Sequence, residues 1–273
     1  MELYLVLICA GILSGVLTIL FGFAGGFVVV PLVYSVIRYH AVVDTLAYQY
    51  AFKSAIATSL LLMIMNAGLA TYQQHKNGKI HTQYLIPLVY WIAFGAVIGT
   101  ALSFFISAEI LKWIFVIYLL ITILDCMTRQ VKTSARPIQK KIRLLYKTEQ
   151  SCGGFLIGAI AAALGVGGSV MTVPLFRRCG LGMRAAVALA NPLSVPVAVA
   201  GCTTYIVGYW VNPIHLGSGF IAYFYYPALI CLVLGGFLGM KMGLKFVGKL
   251  SNQLHERGYI FLLCLVLISI VLN

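Results

Sequence analysis

Two short stretches of this chain offer bare backbone, not reactive side chains, as their chemistry. GFAGGFVVVPL occupies 22–32 and GVGGSVMTVPL occupies 165–175. Gly22/Gly165, Gly25/Gly168, Val30/Val173, Pro31/Pro174 and Leu32/Leu175 match at a constant offset of 143 residues. Glycine lets a chain turn sharply and lets a ligand approach the main chain closely. A helix restarting after such a turn directs unbonded N–H groups, and the positive end of its dipole, into the space it faces. The first turn holds Gly22, Gly25 and Gly26; the second holds Gly165, Gly167, Gly168 and Ser169. Brought together, the two would form an anion site with no need of lysine. Pro31 and Pro174 end the short runs that follow, as expected of broken helices. Thr58, Ser59 and Asn191 lie on the next apolar segments. Their hydroxyl and amide groups can hydrogen-bond a small oxyanion, or equally a neighbouring helix.

Other chemistries lack their residues. No Walker motif, HExxH or Ser/His/Asp arrangement is present, so the chain does not read as an enzyme, and no metal or cofactor is expected. The six acids, Glu2, Asp44, Glu109, Asp125, Glu149 and Glu256, sit in loops or near segment ends. Cation-coupled carriers usually carry a carboxylate deep in a span, so cation transport is disfavoured. The five histidines (His40, His75, His81, His215 and His255) are read as lying at segment edges. Seven scattered cysteines, without a CxxC pair, read as structural thiols. Lys53 reads either as a lysine snorkelling to the interface or as an attractor of anions. Tyr72 and Tyr205 read as interfacial aromatics.

The elements that must position these groups follow from composition. Of 273 residues, 62% are hydrophobic and 9% charged, where a soluble domain carries about a quarter charged. Runs such as 3–21, 85–105, 113–126, 220–240 and 259–272 are nearly or wholly uncharged, and several reach the roughly 20 residues of a membrane-spanning helix. They are continuously apolar and do not alternate, which excludes a β-barrel. The reading is an all-α polytopic membrane protein, with the run at 3–21 retained and not cleaved. A net charge of +13 fits basic loops facing the cytoplasm, with the lipid bilayer as partner and no nucleic acid.

The duplication extends beyond the glycine motifs. AGLATYQ at 67–73 faces AGCTTYI at 200–206, AIATSL at 55–60 faces ALANPL at 188–193, and Pro87, Gly95 and Gly99 have the spacing of Pro227, Gly235 and Gly239. The organisation is a first transmembrane repeat at 1–127, a basic cytoplasmic linker at 128–150 with seven of the nineteen basic residues, and a second repeat at 151–273. If residues 152–176 form a hairpin that enters and leaves on one side, sixteen basic residues share a face against three (Arg38, Lys53 and Lys112). A full crossing there would split them nearly evenly, so the positive-inside bias selects the hairpin. Each repeat then holds a re-entrant or broken-helix hairpin plus three transmembrane helices, about eight hydrophobic segments in all. Three crossings per repeat turn the second upside down, giving two inverted-topology repeats, a plan common among secondary transporters. Gly95/Gly99 and Gly235/Gly239, inside long runs, read as helix-packing glycines.

The paired GxxGG…VPL and GxGGS…VPL turns, ATSL after the first, and the short basic centre resemble the sulfite exporter TauE/SafE family, also called the toluene sulfonate uptake permease (TSUP) family, over about 12–240. The resemblance implies a transporter moving a small sulfur-containing anion (sulfite, thiosulfate or an organosulfonate such as sulfoacetate) across the cell inner (cytoplasmic) membrane. It points to Gly22, Gly25, Gly26 and Pro31, to Gly165, Gly167, Gly168 and Pro174, and to Thr58 and Ser59. Ala24 stands where a glycine is common, and Asn191-Pro192 replaces a frequent Thr-Ser. A coupling ion, proton or sodium, and a homo-oligomer remain open. So do two other readings, a channel-like anion pathway and a non-transporting membrane assembly partner.

Overall fold

The computed structural model describes residues 2–272 except 24, 44, 77, 79–81, 136–142, 248 and 250. The first half comprises α1 (Glu2–Phe21), α2 (Gly26–His40), a short α3 (Leu46–Gln49), α4 (Ala51–Lys76), α5 (Thr82–Ser103) and α6 (Ala108–Ala135). After a π-helical turn (Glu149–Gly153) come α7 (Gly154–Ala163), α8 (Ser169–Arg178) and α9 (Met183–Val211). A two-stranded hairpin, β1 (Phe220–Ile221) and β2 (Phe224–Tyr225), then precedes α10 (Tyr226–Leu244) and α11 (Asn252–Leu272). Among the described residues five helices, α1, α4, α5, α9 and α10, are long and apolar enough to cross a membrane. The chain is a polytopic all-α membrane protein.

In lipid, helices associate by close packing, because the tails are as apolar as the side chains. Small residues set that packing here. A Cβ on Gly239 would stand 2.7 Å from the Ile12 carbonyl carbon, and one on Gly11 would stand 2.7 Å from the Leu232 carbonyl oxygen. Gly15 abuts Gly236 and Met240, and Gly243 abuts Val16 and Ile19. Positions along α1 and α10 therefore rise together, and the two helices run parallel. The same holds for α5 and α7: Gly154 meets Leu88 and Trp91, Gly158 meets Ile92, and Gly99 meets Ala159. The first helix of each half thus packs along the GxxxG-bearing helix of the other half. The packing role read for Gly95, Gly99, Gly235 and Gly239 is what the structure shows, and Gly11, Gly15, Gly154 and Gly158 supply the facing surfaces.

Contacts at the two ends order the remaining helices. At one end the Arg143 N–H donates to the Cys179 carbonyl at 3.1 Å, joining the approach to α7 with the exit from α8. The α7–α8 hairpin therefore enters and leaves on one side. The same end holds Arg177 paired with Glu256 at 2.8 Å and Arg178 paired with Asp125 at 3.1 Å. There too Arg143 grips Glu149 through two hydrogen bonds of 2.7 Å, holding its carboxyl below the usual carboxylate range. At the opposite end Arg38 bonds Tyr34 and Tyr48, Lys53 bonds the Phe104 carbonyl, and the rings of Tyr50 and Tyr223 lie 6.1 Å apart. The exit of α2, the start of α4, the end of α5 and the start of α10 meet there. The chain expected to form a linker at 128–150 is helical as far as Ala135, as the end of α6. Its residues 136–142 lie outside the described residues. Single cysteines placed at Lys147 and Arg178, in a background lacking native thiols, should react with an impermeant maleimide from one face of sealed vesicles, and one at Tyr39 from the other.

Candidate functional site: the junction of two broken helices

Each broken helix turns at equivalent places. After α1 the chain reverses at Gly22 (φ 76°) and Gly25 (φ 101°); after α7 it reverses at Gly165 (φ 64°). These are left-handed conformations that side-chain-bearing residues adopt only with strain. Gly168, by contrast, is right-handed (φ −57°), so the two turns are similar but not identical. The reversal brings Gly25 back beside Ser14 and Gly168 back beside Ile157, about two turns up the helix that has just ended. Consequently α2 and α8 begin in mid-bundle. Neither N-terminus has a side-chain cap, so their first N–H groups face the interior without the usual partner.

The two turns meet. A Cβ on Gly26 would overlap the Gly165 carbonyl oxygen and stand 2.8 Å from the Val166 Cα. Crossing helices fix each turn from the other half of the chain. Ser59 of α4 donates to the Gly165 carbonyl at 2.9 Å, and the Asn191 amide of α9 donates to the Thr18 carbonyl at 3.2 Å. Ile56 packs on Gly165, as Val187 and Ala190 pack on Gly22. A second layer belongs to the first turn: Thr18 Oγ1 lies 2.8 Å from both the Ser14 and Phe23 carbonyl oxygens, which share its one hydrogen, and Asn66 donates to the Ser14 hydroxyl at 3.1 Å.

Pro31 and Pro174 are both the sixth residue of their helix. A proline lacks the N–H that would bond the carbonyl four residues earlier. At Pro174 that carbonyl is Val170's, and the Tyr259 hydroxyl takes it at 3.1 Å. Pro174 also lines a small surface cleft at the basic end, with Asp125, Arg177, Glu256 and Tyr259.

Of the residues singled out from sequence, the glycines, Ser59, Ser169 and Asn191 surround the junction. Thr58 does not face it: its hydroxyl donates to the Ser54 carbonyl and accepts from the Tyr225 N–H at 2.9 Å, tying α4 to the β-hairpin. Ser169 Oγ, Thr172 Oγ1 and Asn191 Oδ1 are buried without a hydrogen-bond partner. Ser169 and Thr172 sit one turn apart at the start of α8, both 0% exposed. Sequence reasoning missed Ser14, Thr18, Asn66 and Thr172. Their signal was available: isolated polar residues within uncharged runs, Ser14 and Thr18 at the i, i+4 spacing of one helix face. His255, read as an edge residue, is 5% exposed and its Nε2 meets the Leu20 carbonyl. Of the cysteines only Cys179 and Cys202 are buried, and Cys9 and Cys152 are exposed.

The chemistry of this junction is that of neutral donors. The uncapped starts of α2 and α8 lie close together through Gly26 and Gly165, Ser169 and Thr172 are buried at the start of α8, and helix dipoles there favour negative charge. Residues 7–270 match the family described as Sulfite exporter TauE/SafE. A probable membrane transporter protein of Haemophilus influenzae is 28% identical over 276 residues, covering 98% of each chain. One of Methanocaldococcus jannaschii is 24% identical, covering 90% of this chain and 87% of its own. One of Bacillus subtilis is 22% identical, covering 76% and 80%. No solved structure matches.

Proposed function

The chain belongs to the sulfite exporter TauE/SafE family, and on that premise we propose that this membrane transporter is a secondary carrier of a small sulfur-containing anion: sulfite, thiosulfate or an organosulfonate such as sulfoacetate. The anion is held near the bilayer midplane by N–H groups at the starts of α2 and α8, with the Ser169 and Thr172 hydroxyls as further donors. Ser59 and Asn191 act one step removed, fixing the turns that aim those N–H groups. The observation that carries the reading is the meeting of the two glycine turns at Gly26 and Gly165, beside buried hydroxyls that have no partner.

Burial argues for a carrier and against a continuous pore. Ser59, Ser169, Thr172 and Asn191 are all 0% exposed, so an anion reaches them only when the bundle opens. The halves cannot separate as independent blocks, because α1 is packed along α10 and α5 along α7. The moving units are these cross-paired helices, rocking about the junction as alternating access requires. The reciprocal pairing supports reading the chain as an inverted duplication, with the basic end cytoplasmic.

Proteoliposomes loaded with labelled sulfite, thiosulfate, sulfoacetate or taurine, with and without proton and sodium gradients, test the proposal. Saturable flux of at least one anion, stimulated by one gradient, is expected. Flux of a cation with none of any oxyanion would discard it, and conductance far above carrier turnover would favour a channel.

A further inference from the structure

The end opposite the basic face holds a charged group that the junction does not use. Lys53, in the first turn of α4, is partly exposed. Its ammonium donates to the Phe104 carbonyl at 3.0 Å and lies 5.4 Å and 5.5 Å from the ring centres of Tyr50 and Phe104. The ion pairs among the described residues join Arg143, Arg177 and Arg178 to carboxylates, and none involves Lys53. An ammonium has three donors, and the carbonyl occupies one. A cation drawn partly out of water, with rings and one carbonyl for company, lacks the counter-charge that usually accompanies burial.

Its surroundings are built and not incidental. The β-hairpin turns through Ala222 at φ 54°, a left-handed position for a residue with a side chain, and Tyr223 after it packs against Tyr50 and Phe104. Tyr223 is 3% exposed, and its ring lies 5.7 Å from Phe104 and 5.4 Å from Tyr205. Tyr205, read from sequence as interfacial, is 0% exposed within this cluster. One turn along α4 from Lys53 is Ile56, which packs on Gly165, and a further turn on is Ser59, which holds the Gly165 carbonyl.

We propose that Lys53, beside Tyr50 and Phe104 with Tyr223 packed against both rings, is an anion-recognition site at the end of the bundle opposite the basic face. It takes singly charged, weakly hydrated sulfonates in preference to sulfate or phosphate. One ammonium supplies the ion pair, and the rings of Tyr50 and Phe104 beside it give apolar surface for the organic part of a sulfonate. Such walls suit a diffuse anion, and they offer too few donors to replace the water of a doubly charged, tightly hydrated one. This inference rests on the carrier reading above and adds an earlier stop on the same route.

Two measurements test it. In sealed vesicles, an impermeant amine-reactive ester should label Lys53 of the wild-type protein several-fold more slowly in millimolar benzenesulfonate than in sulfate at equal ionic strength, read by peptide mass spectrometry. Equal rates in all salts would overturn the site. In flux assays Lys53→Gln should raise the half-saturation concentration about tenfold with the maximal rate within about twofold, and Lys53→Arg should restore it. An unchanged half-saturation concentration in Lys53→Gln would make the residue a snorkelling lysine only. Should the wild type carry no oxyanion, the carrier reading falls by itself, and the labelling result still decides whether Lys53 binds an anion.

Discussion

Replacing Gly26 with valine is expected to abolish anion flux, a loss of at least about a hundredfold. The reason is steric and local. Even a single Cβ at Gly26 overlaps the Gly165 carbonyl and crowds the Val166 Cα at 2.8 Å. Backbone cannot rotate out of the way as a side chain can. Nor can Gly165 retreat, since a Cβ there would already stand 2.9 Å from Ile56 Cγ2, and its carbonyl is tied to Ser59. The start of α2 must therefore move away from the start of α8. Donors that converge on one anion lose that convergence with a displacement of about 1 Å. Gly68→Val is the matched control, because the same change in α4 meets nothing within 4 Å. It should leave flux within about twofold, since valine is also a better helix former than glycine. Both variants are to be compared as monodisperse protein after reconstitution. A monodisperse Gly26→Val protein that carries anions at the wild-type rate would remove the junction from the substrate path.

Much of this arrangement could be read from the residues. The repeated glycine–proline motif announced two broken helices, because little else explains glycines followed by apolar runs too short to span. The distribution of arginine and lysine announced a hairpin at 152–176, and the Arg143–Cys179 hydrogen bond joins its two ends. What stayed hidden was pairing. A stripe of small residues says that a helix packs closely, not against what, so nothing in Gly235 and Gly239 named α1 as their partner. Orientation was hidden too. Thr58 and Ser59 are adjacent, about 100° apart on a helix; one holds the Gly165 turn and the other the β-hairpin. Tyr205 looked like its counterpart Tyr72, which is 63% exposed, but the β-hairpin packs Tyr223 on Tyr205, and among the described residues only the second half carries such a hairpin.

Ser169→Ala and Thr172→Val should make the protein more stable and worse at its task. A buried hydroxyl without a partner costs about 1–3 kcal/mol relative to one that is satisfied or absent. Thr18 and Thr58 avoid that cost by bonding the carbonyl four residues back, and Thr172 Oγ1 does not. Removing either unpaired hydroxyl should thus raise the midpoint of thermal unfolding in detergent by a few degrees, about 2–4 °C per kcal/mol for a chain of this size. A hydrogen bond to a charged partner is worth about 1.5–3 kcal/mol. If these hydroxyls meet the anion, each loss should weaken its binding by about ten- to a hundredfold, and the double variant more. Ser59→Ala gives the opposite sign for stability, because its hydroxyl already holds the Gly165 carbonyl. There both stability and flux should fall together. The pattern separates a ligand-binding hydroxyl from a structural one without knowledge of the substrate. A Ser169→Ala protein that melts earlier and carries anions normally would assign that hydroxyl to packing, and would leave the main-chain N–H groups of α2 and α8 as the only donors at the junction.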